Sequence, residues 1–131
     1  MSQQFEMPTA ELARRIVTSV SYHERMLAGR MTVRMGIIRG SVRGLPELQL
    51  YLTPDDKSLP AVNLERLADW IERVIADVEL AREVRGVQAG ASSYVNACET
   101  LFGLVGERVA QARQVLGIDV DAGLLPGELG A

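Results

Sequence analysis

Residues 30–53 read RMTVRMGIIRGSVRGLPELQLYLT, and the fold turns on how they are read. Met31, Val33, Met35 and Ile37 alternate with Arg30, Thr32, Arg34 and Gly36. Further on, Leu48, Leu50 and Leu52 alternate with Glu47, Gln49, Tyr51 and Thr53. A period of two marks a strand with one buried face. Gly40-Ser41 suits a type II′ turn between the two runs. That turn pairs Val33 with Leu48 and Met31 with Leu50, and it sets Arg34 against Glu47 on the other face. Pro46 sits badly in this register, because opposite Met35 it lacks the N–H a ladder requires.

A helical reading competes. Leu27, Met31, Met35, Ile38, Val42 and Leu45 also form a stripe at helical spacing, which would carry the first helix on to about residue 44 and give an all-α chain. The glycines at 29, 36, 40 and 44 weigh against it at ~1 kcal/mol each relative to alanine. So do the β-branched residues Val33, Ile37, Ile38 and Val42. A hairpin over about 30–53 is the preferred reading.

Outward from this stretch the signals are helical. Thr9 is a candidate cap. Leu12, Ile16, Val20, Met26 and Leu27 predict a first helix over about 9–28, stopped by Gly29. On the C-terminal side, Thr53-Pro54-Asp55-Asp56 is turn chemistry. Leu64, Leu67, Ala68, Ile71, Val74, Ile75, Val78 and Ala81 predict a helix over about 61–84, with Asn63 or Ser58 as cap and Gly86 as stop. A third helix, over about 92–116, opens at Ser92 or Ser93 and closes at Gly117. Its stripe is Tyr94, Cys98, Leu101, Phe102, Val105, Val109, Ala112 and Leu116. The expected architecture is α+β and mainly helical: helix, hairpin, then two antiparallel amphipathic helices. Residues 1–116 form one globular domain in this reading, and 117–131 a flexible or partner-docked tail.

Composition narrows the function. The 131 residues are 47% apolar, enough for a packed core. No run approaches the ~18 apolar residues of a membrane span, and the N-terminus lacks a signal-peptide pattern. A single cysteine excludes an internal disulfide and suits a cytoplasmic setting. Lysine occurs once among 14 basic residues, a bias of GC-rich bacterial or phage genes. Net charge is −3 but divided. Residues 1–44 carry seven arginines against three glutamates, and the remainder carries seven basic against fourteen acidic residues. Such asymmetry suits docking between halves, copies or partners.

Chemistry-bearing motifs are sparse. His23 and Cys98 are the sole histidine and cysteine, too few for a zinc site and unpromising as a nucleophile–base pair. Glu65, Asp69 and Glu72 share a helix face with Arg66 and Arg73, which reads as a solvated ion-paired surface. No phosphate-loop or dinucleotide fingerprint occurs. No catalytic, cofactor-binding or metal-binding residue is assigned.

The favoured reading is therefore a non-enzymatic structural or adaptor subunit that self-associates or assembles with protein partners through its hairpin and helix faces. Its candidate interface is Met31, Val33, Met35, Leu48, Leu50 and Leu52, with Gly103 and Gly106 allowing close approach on the last helix. An alternative is a nucleic-acid or acidic-partner binder using Arg30, Arg34, Arg39 and Arg43. A third is an enzyme with a site at a subunit interface.

Overall fold

The computed structural model describes residues 5–53, 55 and 57–117. Helix α1 spans Ala10–Val17. Strands β1 (Met26–Thr32) and β2 (Gly36–Val42) form a hairpin. Helix α2 (Leu45–Leu52), strand β3 (Ser58–Pro60), α3 (Leu64–Trp70), α4 (Val78–Gly90) and α5 (Tyr94–Leu116) follow. The chain is α+β and mainly helical, as the periodicities predict, and the all-α alternative fails at the hairpin. The expected C-terminal tail, 117–131, lies outside the described residues apart from Gly117.

The first helix is shorter than expected, ending at Val17 rather than near residue 28. Its start is as read: Thr9 Oγ1 accepts from Leu12 N at 3.1 Å. Past Val17 the run Thr18-Ser19-Val20-Ser21 favours local side-chain bonding over helix. The chain is also claimed elsewhere, since Val20 N donates to Arg43 O at 2.7 Å. A 3-10 turn at Tyr22–Glu24 leads into β1.

The hairpin is present, but its register is not the expected one. Met26 pairs with Val42 and Thr32 with Gly36, and the turn is Val33-Arg34-Met35. Gly36 closes it at φ 69°, a left-handed conformation that glycine adopts without steric cost. Thr32 Oγ1 holds the turn, accepting from Met35 N at 2.9 Å and donating to Gly36 O at 3.0 Å. Gly40, expected in the turn, instead lies mid-strand with the Tyr51 hydroxyl packed over it.

Residues 45–52 are helix, not the second strand. Pro46 falls in the first turn, where a missing N–H leaves nothing unpaired. Glu47, expected beside Arg34, reaches back to Arg43, accepting from its backbone N at 2.7 Å and pairing with its guanidinium at 3.1 Å. Leu45, Leu48 and Leu52 are buried at helical spacing, while Leu50 points outward. β3 pairs with β1 through Met31 and Leu59, so the sheet order is β2-β1-β3.

The helix expected over 61–84 is broken. Asn63 Oδ1 caps α3 through Arg66 N at 3.0 Å. A π turn over Ile71–Ile75 follows, and Ala76 stops it at φ 65°, ψ 35°. Asp77 then caps α4, which runs through Gly86 to Gly90. The break shifts the buried face to Leu80, Ala81 and Val84, so Val78 is exposed. The last helix is nearly as read: Ser93 Oγ caps it through Asn96 N at 3.0 Å, and Gly117 closes it at φ 74°.

α5 is the central support, packing against α1, α2 and α4. Beside its apolar stripe it buries a polar knot. Arg108, 1% exposed, donates from Nε to Asp77 Oδ2 at 2.8 Å and from Nη2 to Asp77 Oδ1 at 3.2 Å. Its Nη1 donates to Glu6 O at 2.8 Å and to Gln111 Oε1 at 3.0 Å. Gln111 Nε2 in turn donates to Phe5 O at 3.2 Å. The knot fastens α5, the α3–α4 break and the N-terminal segment together. A bidentate charged pair with its remaining donors engaged is strong in such a setting.

Candidate docking surface on the hairpin sheet

The two faces of the sheet differ. Paired residues of an antiparallel ladder project to the same side. Met26, Ala28 and Val42 therefore share the inner face and are buried against the helices. Arg30 and Gly40 also lie on this face, both in contact with α2. The outer face carries Leu27, Met31, Ile37 and Leu59, and all four are exposed, Leu27 at 77%. Gly29 lies between them, where a Cβ would stand 2.6 Å from Ile38 O. That close approach leaves no room for a side chain at 29. Leu27, Ile37 and Ala61, with Arg39 and Arg66, line a shallow depression of about 250 Å³ on this face. Burying these four partly exposed side chains would release roughly 3–6 kcal/mol before the costs of association.

The candidate interface residues separate. Met31 joins the outer face, while Val33 and Met35 stand at the hairpin tip, Val33 92% exposed. Leu48 and Leu52 are fully buried, which removes them from any surface contact. Leu50 is exposed on α2, which packs on the other side of the sheet. Gly103 faces open space, and Gly106 receives the Gln49 side chain, whose Nε2 stands 2.5 Å from where a Cβ would be. The close approach at Gly106 is thus made within the chain.

The arginines separate as well. Arg30 is a structural clamp. It donates to Tyr51 O at 2.9 Å and Thr53 O at 2.7 Å, satisfying the C-terminal end of α2, and to Ser58 Oγ at 2.9 Å across to β3. A guanidinium at a helix C-terminus also meets the negative end of the dipole. Arg43 is taken by Glu47, whose carboxyl it holds below the usual carboxylate range by hydrogen bonding. Arg34 and Arg39 remain, both exposed and without an ion pair among the described residues, and Arg66 adds a third free cation beside the depression.

Cys98 is buried in the core, and burial pushes its thiol up. Tyr94 lies beside it, its hydroxyl accepting from Val62 N at 2.8 Å and bonded to Pro60 O at 3.0 Å. Desolvation raises Tyr94 to about 12. These groups clamp the 60–62 segment onto α5. His23 sits on the exposed 3-10 turn, edge-on to Tyr22. Asp69 and Glu72 pair with Arg85 of α4, at 3.0 and 2.7 Å, rather than with Arg66 and Arg73.

Leu27, Ile37, Leu59 and Arg66 were not singled out as contacts in the sequence. Leu27 fits a helical stripe, and Leu59 lies in an apparent loop. Ile37 belongs to the alternation that begins at Met31, the one sign of a shared face. The chain matches no protein-family model, no curated protein and no solved structure.

Proposed function

We propose that this protein is a non-enzymatic docking subunit that assembles with a protein partner through the outer face of its hairpin sheet. One observation carries the reading. Leu27, Met31, Ile37 and Leu59 form an uncovered apolar surface on a sheet whose other face buries Met26, Ala28 and Val42. Isolated exposed apolar residues are ordinary, but a contiguous group rimmed by charge is the pattern of an interaction site. The rim is arginine, a residue favoured in interface hot spots. Nucleic-acid binding is the weaker reading, because Arg30 and Arg43 are spent within the fold and none of the described strand residues is aromatic.

Photo-crosslinking tests the reading. A benzophenone amino acid at position 27 or 59 should yield discrete adducts in extracts of the native host. The same probe at the exposed Gln114 of α5 should not. A Met31→Asp/Leu59→Asp variant should fold normally and lose the adducts. Equal labelling at 27 and 114, or none at either, would overturn the proposal.

A further inference from the structure

The two edges of the sheet are built differently, and the difference points to how a partner docks. β3 is a poor template for another strand, with only three residues ending in Pro60. Brevity and proline are standard ways of closing an edge. β2 has neither. It runs for seven residues, its pairing with β1 has no bulge, and no described strand lies on its far side. Half of its backbone N–H and C=O groups therefore face away from β1, flanked by the exposed Ile37 and Ile38. Its one charge is Arg39, near mid-strand.

That arginine selects the occupant. A second copy pairing antiparallel across a two-fold axis at the middle of β2 sets Arg39 against Arg39. Like charges directly opposite are destabilising. A shifted register separates the two arginines but shortens the ladder, and β2 has no acidic residue to pair with Arg39 in any register. Arg39 also projects to the outer face, where it and Arg66 both line the depression beside Leu27 and Ile37. A carboxylate on a strand added beside β2 stands opposite the Arg39 guanidinium, and apolar neighbours meet Ile37 and Ile38.

Resting on the docking reading above, we infer that the partner adds an extended strand to the free edge of β2, with an acidic residue opposite Arg39 and apolar residues opposite Ile37 and Ile38. Backbone hydrogen bonds supply the affinity, the acidic residue fixes register, and Arg39 against Arg39 disfavours self-pairing in the full-length register. This is strand addition to an exposed sheet edge.

A synthetic peptide as long as β2 is the probe, made of threonine and valine with one central glutamate, and prepared also with lysine in place of the glutamate. At millimolar concentration the glutamate peptide should slow amide hydrogen exchange across 36–42 and leave α4 and α5 unchanged. The lysine peptide should bind about tenfold more weakly. An Arg39→Glu variant, altered at an exposed site and checked by circular dichroism, should reverse that preference. Unchanged exchange in β2, or a preference that Arg39→Glu does not reverse, would overturn strand addition. So would protection of β2 in the free protein that rises with its own concentration, since that signals self-pairing. Adducts at position 27 without protection of β2 would leave the docking reading standing and remove only this inference. Absent adducts would remove the docking reading itself.

Discussion

Replacing Asp77 by asparagine tests the buried knot that joins α5 to the α3–α4 break. The substitution keeps volume and shape. It also keeps the cap, because asparagine caps as well as aspartate and Oδ1 still receives Leu80 N, now at 3.1 Å. What is lost is the charge facing Arg108, at sites 0% and 1% exposed. Breaking a buried pair by removing one partner costs about 3–5 kcal/mol. Here Arg108 retains Glu6 O, Gln111 Oε1 and, at 3.6 Å, the Glu79 carboxylate. The loss should therefore fall near the lower end, at about 3 kcal/mol, or roughly 10–15 °C in Tm for a chain of this size. Urea unfolding followed by circular dichroism and by the fluorescence of the sole tryptophan, Trp70, measures it with two independent probes. Arg108→Met strands the carboxylate instead and should cost at least as much. Adding Asp77→Asn to Arg108→Met should then restore stability. A loss below about 1 kcal/mol in Asp77→Asn, or strict additivity in the double variant, would refute the account of a coupled buried pair.

Arg30→Met should destabilise by about 1.5–3 kcal/mol per charge-assisted bond lost, tempered by the exposure of the freed carbonyls. Thermal unfolding reads it, and an Arg30 that can be replaced without cost is no clamp. Gly40→Ala forces a Cβ into the space held by the Tyr51 hydroxyl. It should destabilise by about 1–3 kcal/mol, and Tyr51→Phe in the same chain should recover part of that loss in chemical denaturation. Tyr94 should ionise near pH 12 in a spectrophotometric titration, and Tyr94→Phe should remove that phase. Its folded pKa lies above the ordinary value of 10.0 because burial favours the neutral phenol. The corresponding stability is present below pH 10 and is lost as pH rises through the folded value, so the wild-type advantage over Tyr94→Phe should shrink above pH 10.

Much of the helical part was readable from local signals. Thr9, Asn63 and Ser93 cap where their side chains can reach a free N–H two or three residues on, and Gly117 ends α5 because it takes positive φ. These are contacts within a few residues, so sequence order alone supplies them. The α3–α4 break was hidden because the apolar stripe continues through it. Ala76 has no intrinsic preference for the left-handed conformation, which costs roughly 1–2 kcal/mol outside glycine. The knot holding Asp77 against Arg108 spans 31 residues and left no mark at either site. For the docking surface, Met31 was legible as a strand residue with an exposed face. Ile37 was legible with it, through the same alternation, but Leu27 and Leu59 were not, because pairing across three strands decides who shares that face.

Residues 30–53 divide the two kinds of information. By itself the sequence determined that a hairpin lies here, since alternation, β-branching and helix-breaking glycines all favour extended chain. It also determined that Pro46 does not belong in a paired strand. Which residues pair was decided by tertiary structure. Residues 45–52 satisfy both periods, with leucines at 48, 50 and 52 for a strand and at 45, 48 and 52 for a helix. Burial selects between them: the helix places Leu45, Leu48 and Leu52 in the core and leaves only Leu50 outside. It also presents the carbonyls of Tyr51 and Thr53 to Arg30. The outcome rests on what α5 and the inner sheet face can cover, a quantity set by the whole packed chain.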